Sequence, residues 1–80
     1  MQSQLFTPKQ GQYLALIYAY TQVLGRPPAE ADIQRHFKVT APTVRQMVIT
    51  LERSGLIRRR PEVARSIDLP VSPESLPVLR

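Results

Sequence analysis

Ile33-Gln34-Arg35-His36-Phe37-Lys38-Val39-Thr40-Ala41-Pro42-Thr43-Val44-Arg45-Gln46-Met47-Val48-Ile49-Thr50-Leu51-Glu52-Arg53-Ser54-Gly55-Leu56 reads as a short helix, a tight turn and a second helix with its own cap. Lys38-Val39 makes the turn, with Val39 plugging the angle between the helices. Thr40 is placed to cap the helix that follows, and Pro42 falls in its first turn, where no intrahelical N–H bond is lost. Val44, Met47, Val48 and Leu51 stand at i, i+3, i+4 and i+7 and so bury one face. The opposite face then carries Pro42, Arg45, Gln46, Ile49 and Arg53, with Thr43 and Thr50 on its margin. Gly55 ends the helix, and Arg58, Arg59 and Arg60 follow directly. A helix-turn-helix backed by a basic hairpin has the shape that enters a DNA major groove.

Upstream, Thr7-Pro8-Lys9-Gln10 is a capping box with proline at the first helical position, and Leu5 and Phe6 precede it as a staple. A buried stripe continues through Tyr13, Leu14, Ile17, Tyr20 and Leu24 to a stop at Gly25. Arg26-Pro27-Pro28 is an extended connector. The next helix spans about 29–37 and buries Ile33 and Phe37. Downstream, 56–60 and 65–69 read as two short strands joined by a turn around Pro61-Glu62-Val63-Ala64, with Ile57, Ile67 and Leu69 closing the core and the arginines outward. The expected fold is mostly α with a small β-hairpin, a winged helix-turn-helix of three helices plus wing over 1–69. The proline-containing tail, 70–80, is expected to be irregular.

Eighty residues build one modest core. The net charge of +5 and a pI near 10.5 point to a polyanionic partner. The charge is concentrated, since Arg35 to Arg65 holds eight basic residues against Glu52 and Glu62, a net of +6. Without cysteine there is no disulfide, thiol nucleophile or thiolate metal site. No apolar run approaches the ~20 residues of a membrane span, and the amino terminus lacks the positive region of a signal peptide. The expected location is the cytoplasm, at the nucleoid. His36 has no second histidine for a metal and no serine or carboxylate at a catalytic spacing, and there is no phosphate-cradling glycine loop. Neither an enzyme nor a cofactor is expected. Glu30 and Asp32 begin a helix, where negative charge suits the dipole, and the three tyrosines are read as packing residues.

Arginine and glutamine are the side chains that pair with guanine and adenine edges, which singles out Arg45 and Gln46. Ile49 has two readings, contact with a thymine methyl or packing against the second helix. Arg58, Arg59 and Arg60 suit phosphates or the minor groove.

Phe6-Thr7-Pro8-Lys9-Gln10, Gly25-Arg26-Pro27-Pro28, Ile33, and Leu51-Glu52-Arg53-Ser54-Gly55-Leu56-Ile57 leading into Arg65-Ser66-Ile67-Asp68-Leu69 together resemble the DNA-binding domain of LexA-type repressors. The resemblance covers roughly 5–69. It implies a third helix in the major groove, usually in a dimer on a two-fold operator. Carried over by position, Thr43, Arg45, Gln46 and Ile49 are the implied base readers. Arg35, Lys38, Thr40, Arg53, Arg58, Arg59, Arg60 and Arg65 are the expected backbone or wing contacts. Ala29 stands where the family has a serine or threonine cap, and Lys38 where it has a turn glycine, so a left-handed backbone there would be strained. Such repressors also carry a self-cleaving serine/lysine protease and dimerisation domain, which has no counterpart in these 80 residues. The expected function is sequence-specific binding of double-stranded DNA as a transcriptional regulator, a repressor acting by occlusion. The alternative is a winged helix used as a protein-protein adaptor. In isolation the chain is expected to be monomeric or only weakly self-associating, with any dimer forming on DNA; the one candidate exception is the tail, whose Leu69, Val71, Leu76, Val78 and Leu79 would fold onto helix one or onto a second copy.

Overall fold

A computed structural model describes residues 6–60, 63 and 66–80. Among them are three α-helices, α1 Pro8–Leu24, α2 Glu30–Phe37 and α3 Ala41–Arg53, and a single 3-10 turn, Pro73–Ser75. The expected staple residue Leu5, Arg65 and most of the turn at 61–64 lie outside the described residues. No helix among them is long and apolar enough to cross a membrane.

The capping box forms at both of its bonds. Thr7 Oγ1 accepts from the Gln10 N–H at 3.1 Å, and the Thr7 N–H donates to Gln10 Oε1 at 2.9 Å. Gly25, at φ +75°, stops α1 and donates back to Thr21 at 2.8 Å. Tyr13, Leu14 and Ile17 are buried as the periodicity requires, but Leu24 is 48% exposed and Tyr20 only half-buried. Residues 22–26 are all exposed, so the last turn of α1 runs past the core. Ala15 and Leu16 are buried instead, which makes 13–17 a continuous buried run. Five successive buried residues exceed one helical stripe, so α1 is covered on a second side.

Part of that cover is the tail. Gln12 Nε2 donates to the Val78 carbonyl at 2.9 Å, and its Oε1 accepts from the Arg80 N–H at 2.8 Å. Its amide therefore pairs with the chain as a neighbouring strand's peptide would. A Cβ at Gly11 would lie 3.0 Å from the side chains of both Phe6 and Pro77, so any larger residue would have to push them aside by a few tenths of an ångström. Val71, Leu76 and Leu79 pack against the core. Apart from its 3-10 turn the tail has no regular structure, and of the two surfaces expected for its apolar side chains, Val71, Leu76 and Leu79 use the chain's own core, while Val78 is exposed.

Ala29 at the cap of α2 has no side-chain acceptor, and Asp32 Oδ2 compensates in part by accepting the Ala29 N–H at 2.9 Å. Ile33 is fully buried, and Phe37 stacks on Tyr13 with ring centroids 4.4 Å apart. That burial pushes the Tyr13 phenol above its usual pKa by desolvation. His36, exposed, meets Phe37 edge-on. α2 closes on Lys38 at φ +57°, ψ +47°, whose N–H donates to Gln34 at 2.8 Å. α3 ends in a Schellman motif: the Leu56 N–H reaches the Leu51 carbonyl at 2.9 Å, the Gly55 N–H reaches Glu52 at 3.0 Å, and Gly55 has φ +77°. The core joins Tyr13, Leu14, Leu16 and Ile17 to Ile33, to Val44, Val48 and Leu51, and to Leu56, Ile57 and Ile67.

The expected β-hairpin is reduced to one antiparallel bridge. Arg58 and Asp68 exchange two backbone hydrogen bonds of 2.9 Å, and no strand is present among the described residues. The next pair in register, Arg60 with Ser66, is joined through a side chain: the Arg60 N–H donates to Ser66 Oγ at 2.9 Å, and Oγ donates to the Arg60 carbonyl at 3.1 Å. A serine hydroxyl has taken the place of a peptide group, so the ladder does not extend.

Lys38 is the only described non-glycine residue at positive φ. Left-handed backbone costs an L-residue about 1–2 kcal/mol, and the extra unfolded-state entropy of glycine returns about 0.5–1 kcal/mol of that. Lys38→Gly is therefore expected to raise unfolding stability by about 0.5–1 kcal/mol in a urea titration. Lys38→Ala, which keeps the strain, is expected to show no such gain.

Candidate nucleic-acid interface

Complete burial of Val44, Val48 and Leu51 sets the azimuth of α3. Opposite them stand Pro42, Gln46 and Arg53, all exposed, and Ile49, half-buried. Thr43 and Arg45 are exposed on the two flanks of this arc. On one flank, Thr43 Oγ1 lies 2.8 Å from the hydroxyl of Thr40, which also accepts the Thr43 N–H at 3.4 Å. Thr43, Gln46 and Thr50 line a groove of about 510 Å³ whose other wall is the first turn of α1, Thr7, Lys9 and Gln10.

The other flank is held by charge. Arg45 Nε donates to Glu30 Oε1 at 3.1 Å, and Arg59 Nη1 donates to Glu30 Oε2, also at 3.1 Å. Arg59 Nε lies 3.4 Å from Glu52 without hydrogen-bond geometry. Two carboxylates and two guanidiniums form a cluster of zero net charge across the start of α2, the middle of α3 and the segment after it. The Arg59 side chain is 28% exposed and that of Arg45 64%. Arg35 pairs with Asp32 one turn back on α2.

The twelve residues named from the sequence therefore divide. Thr43, Gln46, Ile49 and Arg53 share or border the arc of α3. Thr40 is its cap, and Arg45 is held to the side by Glu30. Lys38, Arg53, Arg58 and Arg60 are exposed, with no acidic partner among the described residues. Arg59 turns inward and binds Glu30 and Glu52, which departs from the expectation that all three wing arginines face outward. Side chains alternate along extended chain, so Arg58 and Arg60 share one side and Arg59 takes the side of buried Ile57. That alternation was available in the sequence, since Leu56-Ile57 already fixes which side is buried. Glu30 and Thr7, Lys9 and Gln10 were read from the sequence only as residues that start helices, and Glu52 only as a charge; it is the packing of the helices that brings Glu30 and the start of α1 to α3.

A short helix, a left-handed turn and a capped helix with its outer arc exposed define a helix-turn-helix module of the DNA-binding class. Residues 3–66 match the profile of the LexA DNA binding domain. The chain is 38% identical over 72 residues to the LexA repressor of Thermosipho africanus, covering 90% of this chain and 36% of that protein. It is 41% identical over 70 residues to the LexA repressor of Thermosipho melanesiensis, covering 88% and 35%. For the LexA repressor of Geobacter metallireducens the identity is 36% over 64 residues, covering 79% and 32%. This chain belongs to the LexA DNA binding domain family, and it spans about a third of the length of these relatives.

The cluster separates the arginines by experiment. Arg59→Ala takes the shared partner away from two carboxylates, and is expected to lower stability by about 1 kcal/mol, the upper end for a partly exposed network. Arg58→Ala and Arg60→Ala are expected to fall within about ±0.5 kcal/mol of the wild type, as ordinary surface changes do. Thermal unfolding of the three variants side by side measures the difference, and an Arg59→Ala variant as stable as the other two would show that the cluster holds nothing together.

Proposed function

We propose that this chain is the sequence-specific, duplex-DNA-binding part of a transcriptional repressor, and that it acts by occupying its site. The observation that carries the reading is the arc of α3, its back locked in the core and its outer residues Gln46 and Arg53 exposed, in a chain whose Lys38, Arg58 and Arg60 are also exposed. The curated relatives, each named LexA repressor, support the regulatory half of the reading. In this arrangement α3 lies in the major groove, and Thr43, Gln46, Ile49 and Arg45 meet base edges while Lys38, Arg53, Arg58 and Arg60 meet phosphates. The segment after α3, held by the Arg58–Asp68 bridge and carrying exposed Val63, serves as a wing against the backbone or minor groove. Double-stranded DNA is the partner. Two copies on a two-fold site would require half-sites about 34 Å apart or a multiple of that.

In vitro selection of duplex sites, followed by titration of the selected site and of random duplex at several salt concentrations, tests the reading. Gln46→Ala is expected to lose about 1–3 kcal/mol on the selected site if Gln46 makes a bidentate adenine contact, with little change on random duplex. Equal loss on both would remove α3 as the reader.

Arg58→Ala with Arg60→Ala is expected to weaken both duplexes alike. The slope of log affinity against log salt should shrink by about 0.9 for each phosphate that the pair no longer neutralises. An unchanged slope would mean that this segment points away from the DNA.

A further inference from the structure

We propose that Glu30 is a specificity-determining positioning residue, whose carboxylate holds Arg45 at the edge of the reading face so that it meets a guanine rather than the nearest phosphate. The proposal rests on the DNA-reading function argued above.

Glu30 is poorly placed for a protein whose partner is a polyanion. It lies beside α3, where its charge repels phosphate and cancels that of an arginine on the flank. Helix capping does not require it, since Asp32 already accepts the Ala29 N–H and supplies negative charge to the first turn of α2. Both of its oxygens are nevertheless used, at 3.1 Å each, on residues 15 and 29 positions further along the chain. A carboxylate that spans three segments in this way fixes directions.

What it fixes is the plane of the Arg45 guanidinium. An unheld arginine on an exposed helix flank samples many rotamers, and its strongest electrostatic choice beside duplex DNA is a phosphate, which carries no sequence information. Arg45 is 64% exposed yet bound through Nε to a carboxylate that is 29% exposed and itself braced by Arg59. With Nε engaged, the Nη1/Nη2 fork is the two-donor edge left to face outward, and such a fork matches O6 and N7 of guanine. The ordering of the side chain is completed before DNA arrives, so less is lost on binding. Glu30 thereby trades non-specific affinity for discrimination.

The test compares wild type, Glu30→Gln, Arg45→Ala and the double variant on the selected duplex, on the same duplex with each guanine replaced in turn, and on random duplex. Glu30→Gln keeps the size and removes the charge. It is expected to bind random duplex more tightly and to lose about tenfold in the ratio of selected to random affinity, the scale of one bidentate base pairing. The loss should fall on one guanine, and Glu30→Gln should change nothing further in the Arg45→Ala background. An unchanged ratio, or the same loss with Arg45 already absent, would overturn the proposal while leaving the DNA-reading function standing. Failure of the wild type to select any duplex would overturn both. A second measurement is independent of whether Glu30→Gln folds: in the free wild-type protein the Arg45 Nε–H should give a resolved, slowly exchanging NMR signal. A signal at the position of free arginine would also overturn the proposal.

Discussion

The whole exposed arc of α3 depends on the burial of three of its residues. Val44, Val48 and Leu51 are wholly enclosed against Ile33 and α1, and each such side chain contributes roughly 1.5–3 kcal/mol by leaving water. The surface ion pairs among the described residues are smaller, each worth at most about 1 kcal/mol. A rotation of α3 that improved a contact by Gln46 or Arg53 would expose one of the three, so the azimuth of the helix is settled by its back. Thr40 at one end and the Gly55 Schellman motif at the other then settle where it starts and stops.

Burial places backbones; it leaves long polar side chains free to choose. That second choice is made by hydrogen-bonded charge. Glu30 holds Arg45 and Arg59, and Asp32 holds Arg35 while closing the start of α2. Individually these pairs are weak because they are partly exposed. Their effect is on direction, and direction decides whether an arginine reads or merely sticks. The tail acts on α1 in a comparable way, with the Gln12 amide standing in for a peptide group between Val78 and Arg80.

The three helices were legible in the sequence because their signals are local. The capping box at Thr7, the glycines at 25 and 55, and the i, i+3, i+4, i+7 spacing from Val44 each need only a few neighbouring residues. The strain at Lys38 was legible only through the family resemblance, which places a turn glycine there; no local signal at Lys38 itself calls for positive φ. Leu24 was misplaced because periodicity states which face a residue lies on and not whether the core reaches that far. The hairpin was overread because alternation over 56–60 cannot reveal that Ser66 will pair through its hydroxyl. Arg59 and Glu30 belong to contacts 29 residues apart, and nothing in a linear pattern ties one to the other.

Formal charge is thus a poor guide to what this domain offers a polyanion. Of the basic residues between 35 and 60, Arg35, Arg45 and Arg59 each have a carboxylate within ion-pair distance. Lys38, Arg53, Arg58 and Arg60 do not, among the described residues. The salt dependence of non-specific binding counts phosphates neutralised, so it should reflect the second group far more than the first. The paired arginines stay hydrogen-bonded in the free protein and would have to exchange one anion for another, which gains little. On the proposed reading, the unpaired cations supply the general attraction to phosphate, and of the acid-paired arginines only Arg45 stands at the edge of the α3 arc, where it can discriminate.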